Sequence, residues 1–349
     1  MDILQVPPRY PPSNGGIQRH VKKHSEQLVA KGHTVTVLTS HEPKSAPLSE
    51  KRSGVSILRV PAYTPYQISP AITSTVRSSA FDVIHIHGYH SLSSLCAFVG
   101  GSDANLVFTP HYLGTNGPIS RRLLLTAYRP FGQYMFRRAD TVIAVSEWEK
   151  EQLQQQFGIS TEIIPNGIDL ERFSEPNIHL QEKVPNQPYV FSLGRLVEYK
   201  GHQHIVRALP YIDFNLVIAG DGPYRKALEE LAREHGVADR VHFLGYVDDD
   251  LIPGLYAGAK AHITLSEYEC FGLTVGESLA AGTPCVVRES TALKEWAGTP
   301  GCIGLRDISP ENVADAINRT TQLIPQSEQL FTWEEMSERI STVYEGLLE

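Results

Sequence analysis

Short runs of aliphatic and β-branched residues recur along the chain. They alternate with segments in which apolar positions return every three to four residues. Ile3-Leu4-Gln5-Val6 is the first such run. Beyond a loop holding Gly15 and Gly16, residues 16–32 place Ile17, Val21 and Leu28 on one helical face, and Gly32 stands where that helix should stop. Further strands are predicted over 33–40, 81–88, 105–111, 140–146 and 161–167, several of them leading into helical segments. This is the βαβ rhythm of a doubly wound parallel sheet. A Pro- and Asn-rich stretch then breaks it, and the rhythm restarts over 189–195, 214–222, 240–246, 261–266 and 283–287. Residues 331–348 form a closing amphipathic helix with no strand after it. The expected organisation is α/β throughout. A Rossmann-like domain covers 1–170, a linker 171–188, a second Rossmann-like domain 189–330, and a final helix over 331–349 packs back on the first domain. Two doubly wound domains that face one another leave a cleft lined by strand carboxyl ends, where ligands bind.

Composition narrows the class. The 349 residues are 41% hydrophobic and 20% charged, within the range of ordinary globular proteins. No run of about 18 apolar residues predicts a spanning helix, and no leader is visible at Met1-Asp2. Cys96, Cys270, Cys285 and Cys302 form no CxxC pair and are too sparse for a disulfide framework, which points to a reduced, cytoplasmic protein. The net charge of −8 is uneven. Residues 1–175 hold 17 Lys+Arg against 14 Asp+Glu, and residues 176–349 hold 14 against 25. The acidic half argues against a nucleic-acid partner, and the more basic half leaves room for an anionic one.

Three loops at predicted strand ends carry candidate chemistry. In PPSNGGIQRHV, Gly15 and Gly16 open a helix whose N–H groups can meet an anion. The spacing is not GxGxxG, which disfavours a nicotinamide cofactor. In SLGRLVEYKG, Arg195 and Lys200 combine a fork-shaped guanidinium with a point-charge ammonium, a set suited to a diphosphate. In SEYECFGLTVGES, Glu269 and Glu277 stand eight positions apart around Phe271-Gly272-Leu273. There the backbone can present N–H groups while the carboxylates accept sugar or ribose hydroxyls. Taken alone, each has a bland reading as a structural turn, a pair of exposed cations, or a solvated helix. HIHGYH offers His85 and His87 on one face of a strand, with His90 beyond, but no carboxylate or cysteine nearby completes a ligand set. No metal site is expected.

Taken in order, GGIQRHV, GHTVTVLT, DVIHIHG, ADTVIAVS, IPNGID, GRLVEYKG, IAGDGP and E-CFGLTVG-E span nearly the whole chain. The chain resembles family 4 of the retaining glycosyltransferases, which have the GT-B fold. The resemblance implies a nucleotide-diphospho-sugar donor, UDP- or GDP-linked, held mainly by the second domain. Arg195 and Lys200 would clamp its diphosphate, and the backbone at Phe271, Gly272 and Leu273 would meet phosphate and sugar. Glu269 would take sugar hydroxyls and Glu277 the ribose. Gly245 and Tyr246 fall where the base-binding loop sits, and Gly15-Gly16 would approach the phosphate from the first domain. His111 in FTPHY matches the active-site histidine, a positioning or stabilising group. His87 and Asn166 would line the acceptor side. The two glutamates are not the acid and nucleophile of a retaining glycosidase, and no metal or cofactor is required.

For the acceptor, residues 119–140 carry Arg121, Arg122, Arg129, Arg137 and Arg138 among apolar and aromatic residues. Pro130 is expected to interrupt this segment, giving a half-buried helix pair. Its basic face also fits peripheral contact with an anionic membrane at the cytoplasmic side, where a sugar or lipid-linked acceptor would be met. A non-catalytic sugar-nucleotide-binding protein and a sugar-nucleotide epimerase on the same fold are the alternatives.

Overall fold

In parallel strands covered on both faces, successive side chains enter opposite layers, so the apolar runs of the sequence feed two cores at once. The computed structural model describes residues 1–63, 67–78, 80–101, 103–115, 119–175 and 184–349. Its contacts divide the chain into two units, Met1–Gly167 with Trp333–Glu349, and Ile168–Thr332.

The first unit runs β1 (Asp2–Val6), α1 (Gly16–Ala30), β2 (Thr34–Ser40), β3 (Ser49–Arg52), β4 (Val55–Val60), α2 (Pro70–Ser78), β5 (Val83–His87), α3 (Leu92–Gly100), β6 (Asn105–Thr109), α4 (Ile119–Arg138), β7 (Thr141–Ala144), α5 (Glu147–Phe157) and β8 (Glu162–Ile163). Its sheet has the order β3-β4-β2-β1-β5-β6-β7-β8, parallel except for the β3–β4 hairpin. Leu4, Val6, Ile84, Ile86, Leu106 and Phe108 pack in one layer with Ile72, Phe98, Met135 and Leu153 from the helices. The alternate residues point the other way. Ile3, Val83 and Val107 start this second layer, and towards the strand carboxyl ends it becomes polar, with Gln5 in register with His85 and His87 with Thr109, all buried.

The second unit runs α6 (Leu170–Ser174), β9 (Tyr189–Leu193), α7 (His202–Ala208), β10 (Asn215–Ala219), α8 (Arg225–Glu234), β11 (Val241–Gly245), α9 (Ile252–Ala257), β12 (His262–Thr264), α10 (Leu273–Ala280), β13 (Cys285–Arg288), α11 (Leu293–Trp296), β14 (Cys302–Leu305) and α12 (Pro310–Thr320). Its six strands are all parallel, in the order β11-β10-β9-β12-β13-β14. Val190, Leu216 and Ile218 join one core, and Tyr189, Phe191, Val217 and Ala219 the other. Burial of each such aliphatic side chain contributes about 1.5–3 kcal/mol. The last helix, α13 (Trp333–Gly346), belongs to the first unit and packs against α1.

The α/β class and the two doubly wound sheets agree with expectation, and three local readings are corrected. The β3–β4 hairpin and β14 were not foreseen. For β3 the reason is that Ser49-Glu50-Lys51-Arg52 is a mostly exposed, charged edge strand with no apolar signal, whereas β4 and β14 are short apolar runs passed over in the sequence. Helix α4 is one continuous helix of 20 residues through Pro130 rather than an interrupted pair. Proline removes one N–H and frees the carbonyl four residues earlier. Pro130 and Thr126 are both exposed, so that carbonyl is on the side open to solvent, while buried Leu125, Met135 and Phe136 hold the helix on either side. The side chain of Arg121 lies outside the described residues. Finally, residues 171–174, expected in a linker, belong to α6. Asp169 Oδ1 caps that helix by accepting from Arg172 N–H at 3.4 Å, and Phe173 is buried against Tyr256. Residues 176–183 of that linker lie outside the described residues.

Candidate active site

In each sheet the strand order reverses at one place, and loops leaving the strands there diverge to form a crevice. In the second unit the reversal lies between β9 and β12. Arg195 follows β9 and Glu269 follows β12. Between Arg195 and α7 the chain makes a 3-10 turn, Glu198–Lys200, and then Gly201 at φ 78°. A Cβ at Gly201 would stand 2.2 Å from the Leu265 carbonyl oxygen, so only glycine lets this turn lie against the end of β12. That approach brings Lys200 to Glu269. Its Nζ donates to Glu269 Oε1 at 2.5 Å, and both side chains are about one-fifth exposed, at 21%. Burial lowers the Lys200 ammonium, but the Glu269 carboxylate and its hydrogen bond more than offset this, so the pKa ends above its usual value. Arg195 is exposed and donates to Tyr199 Oη at 2.5 Å.

The segment after β12 is fixed from below. Glu269 N–H donates to Thr291 Oγ1 at 3.0 Å, and Trp296 Nε1 donates to the Phe271 carbonyl at 2.6 Å. Gly272 caps α10 at φ 97°, and a Cβ there would meet Leu293 at 2.9 Å and Trp296 Nε1 at 3.0 Å. No side chain caps α10, so its first N–H groups, at Leu273 and Thr274, are left without a side-chain acceptor. Glu277 lies one face inward, 3% exposed, and accepts from Tyr256 Oη at 3.4 Å. Gly245 ends β11 at φ 67°, and Tyr246 is exposed beside it.

In the first unit the reversal lies between β1 and β5. The loop after β1 leads to Gly15, the N-cap of α1, with no side-chain cap and no acidic residue in the first turn. His87 ends β5, and His111 follows β6 at φ 46°. That is a left-handed backbone uncommon outside glycine, of the kind held in place at functional sites. Tyr112 N–H, next along, is held by the buried carboxylate of Glu149, which also accepts from Val145 N–H at 2.8 Å. Burial raises the Glu149 pKa to about 7 against those two bonds.

Four more histidines meet beneath His111. His20 and His24 lie on the buried face of α1, His85 and His87 in the polar layer of β5. His20 Nδ1–H donates to Asn166 Oδ1 at 2.7 Å, and His87 Nε2–H donates to Gln5 Oε1 at 2.7 Å. Gln5 Nε2 donates to Tyr344 Oη at 3.2 Å, and that hydroxyl also lies 2.6 Å from His85 Nδ1 and 3.1 Å from His24 Nε2. Burial drives His20 down to about 4 against the Asn166 bond, and burial holds His24, His85, His87 and His111 well below the usual histidine range. All five are neutral at pH 7.

The structure thus brings together Arg195, Lys200, Glu269, Phe271, Gly272, Leu273 and Glu277 in the second unit. In the first it brings together His87, His111 and Asn166, with Gly15 and Gly16 heading the helix that carries His20. Sequence reading did not find His20, Gln5, Glu149, Tyr256 or Tyr344. The available signal was two histidines four apart, 20 and 24, on the same face as Val21 and Leu28. His90, weighed with His85 and His87, instead stacks on Tyr112.

Two family profiles divide the chain between them. Glycosyltransferase Family 4 matches residues 14–172, and Glycosyl transferases group 1 matches residues 174–337. An uncharacterized glycosyltransferase of Methanocaldococcus jannaschii is 30% identical, over 84% of this chain and 82% of that protein. A GDP-mannose-dependent alpha-(1-6)-phosphatidylinositol dimannoside mannosyltransferase of Mycobacterium tuberculosis is 27% identical, over 96% and 93% of the two chains. The solved structure of Anabaena HepE in complex with UDP and glucose superposes with a TM-score of 0.81, at 19% identity, over 99% of each chain.

Proposed function

The chain belongs to the group 1 glycosyltransferases of GT-B architecture, and on that basis we propose that it moves a hexosyl group from a nucleotide-diphospho-sugar to an acceptor hydroxyl with retention of anomeric configuration. One observation carries this reading. At the reversal point of the second sheet, Arg195, the Lys200–Glu269 pair and the uncapped start of α10 stand together, with Glu277 buried below. Lys200 spends one of its three donors on Glu269, leaving two for phosphate oxygens. Arg195 and the N–H groups of Leu273 and Thr274 supply the rest of a diphosphate site. As the leaving group departs, these donors take up its developing charge, and that electrostatic stabilisation is the main catalytic contribution. The second oxygen of Glu269 accepts a sugar hydroxyl, and Glu277 accepts the ribose hydroxyls. Neutral His111 orients the sugar or stabilises its oxocarbenium-like state. The departing phosphate takes the acceptor's proton, so neither glutamate is a nucleophile and no metal is needed.

The donor is UDP- or GDP-linked. Names among the relatives support either choice, since one is GDP-mannose-dependent and another was solved with UDP. Tyr246, exposed at the end of β11, is the residue to read the base. The acceptor is a sugar or lipid-linked sugar met at an anionic membrane surface, and the exposed face of α4 supports that. It shows Leu123, Leu124 and Phe131, each at least half exposed, between Arg122 and the Arg137-Arg138 pair. No helix among the described residues is long and apolar enough to cross a membrane.

A thermal-shift screen of UDP-, GDP- and ADP-sugars tests the donor site, since a ligand that binds only the folded chain raises Tm. One nucleotide class should raise it, and nucleoside diphosphate should then appear with acceptor in the presence of EDTA. No shift with any nucleotide sugar overturns the donor site. A shift without release on any acceptor favours a non-catalytic binder.

A further inference from the structure

We propose that His20, His87 and His111 form a binding site for one divalent ion of the zinc class. The three rings come from three separate elements, α1, the end of β5 and the loop after β6. Their centroids are 5.4 Å (His20–His87), 5.1 Å (His20–His111) and 5.9 Å (His87–His111) apart. One ring nitrogen from each lies within 4.8 Å of the other two, and among the described residues no other group of three histidine, cysteine or acidic side chains does this. Each ring also has one buried nitrogen with no hydrogen-bond partner, namely His20 Nε2, His87 Nδ1 and His111 Nε2. A buried polar atom left unpaired is costly, and three such atoms on rings this close suit a common partner.

The tautomers suit a cation. The Asn166 amide oxygen takes the proton of His20 Nδ1, which leaves a bare lone pair on His20 Nε2. Gln5 donates its NH2 to Tyr344, which turns its oxygen to His87 Nε2–H and leaves the lone pair on His87 Nδ1. Ligating histidines are commonly oriented in this way, through a hydrogen bond from the other ring nitrogen to a fixed oxygen. An all-imidazole set selects zinc, copper, nickel or cobalt over magnesium or calcium, which need oxygen ligands. Metal–nitrogen bonds of about 2.1 Å at a tetrahedral angle set the nitrogens about 3.4 Å apart. Small ring rotations close that difference and leave a fourth position for water.

An ion held here occupies His111, so it opposes transfer rather than assisting it. That consequence rests on the transferase reading, while the binding itself does not. The full-length protein, stripped with EDTA, should take up one equivalent of Co2+ with the intense visible bands of a four-coordinate site, and Zn2+ should displace it. X-ray absorption should count three imidazoles on the bound Co2+, a readout that needs no variant. His20→Asn, checked for folding by circular dichroism, should weaken Zn2+ binding at least tenfold, while His235→Asn, a change on the exposed surface, should leave it unchanged. Absence of stoichiometric uptake, fewer than three imidazoles, or undiminished affinity in folded His20→Asn overturns the site. Nucleoside diphosphate release should fall with one equivalent of Zn2+ and return with EDTA. Bound ion with unchanged release overturns the opposing role. Bound ion in a protein that shows no release even with EDTA supports the site and counts against the transferase reading alone.

Discussion

Lys200 and Glu269 show how a single pair sets the character of the site. Without a ligand the ammonium is already matched to a carboxylate, so a diphosphate bound as proposed would meet a neutral pair beside the exposed guanidinium of Arg195, itself bonded to the Tyr199 hydroxyl. Removing the ammonium alone leaves a carboxylate facing the phosphates. Lys200→Ala should therefore lower kcat/KM by about 100- to 1,000-fold, the scale seen when a donor to a developing anion is lost. The fold should persist, and unchanged turnover would remove Lys200 from the site. Glu277→Ala should act mainly on donor KM, measured by initial rates across donor concentration. Unchanged donor affinity would end the ribose assignment. The two glutamates were legible from their eight-residue spacing around Phe-Gly-Leu. The pairing of Lys200 with Glu269 was not, because 69 residues separate them and only the Gly201 turn against Leu265 brings them together. The histidine cluster was hidden for the same reason. It is assembled from a helix face, a strand face and a loop, each of which reads as unremarkable alone.

At the scale of elements, the parallel, doubly wound class was written plainly in runs such as Val190-Phe191 and Leu216-Val217-Ile218, whose alternate residues fill two layers, whereas the order of the strands in each sheet was not. The charged hairpin strand Ser49–Arg52 carried no such signal, because one edge of it faces water and pairing alone holds it. Helix α4 misled for a different reason. Proline propensity is a local rule, and the buried contacts of Leu125, Met135 and Phe136 outweigh one lost hydrogen bond. The helix turns the other side of those residues to solvent as an apolar stripe flanked by arginines. If that stripe meets anionic lipid, Phe131→Asp should sharply reduce co-sedimentation with vesicles containing phosphatidylserine at low salt, with no loss of folded protein. Equal recovery of both proteins in the pellet would end the membrane assignment.

The whole molecule should respond to acid through histidines its core holds uncharged. In the second unit, burial takes His202 to about 4 and His262 to about 3, with the Lys200 charge adding to the effect on His202. Their folded pKa values lie below the unfolded value of about 6.5, so the unfolded chain binds protons that the native one refuses. Stability is therefore greatest above that value and falls as the pH drops from about 6.5 towards 4, by about 1.4 kcal/mol per pH unit for each group. Glu149 in the first unit works in the opposite direction. Its folded pKa is raised to about 7, so its contribution is present at acid pH and is lost as the pH rises through that value. Thermal unfolding at pH 7.5 and 5.5 should show a marked drop in Tm on acidification, and His202→Gln with His262→Gln should reduce it. An equal drop in the double variant would show that these two rings do not set the acid response.

The hydroxyl of Tyr344 joins Gln5, His24 and His85, so one side chain near the far end of the chain completes a layer begun at its first strand. A ribosome completes the first unit's sheet, which ends at Ile163, about 180 residues before it delivers that hydroxyl. During synthesis the nascent sheet must wait with its polar layer unsealed, while the second unit, contiguous from Ile168 to Thr332, can close as soon as it emerges. The unit made first is thus the unit finished last. A chain stopped before Trp333 should show protease-sensitive residues 1–167 beside a resistant second unit, and adding the 333–349 peptide in trans should restore protection to the first.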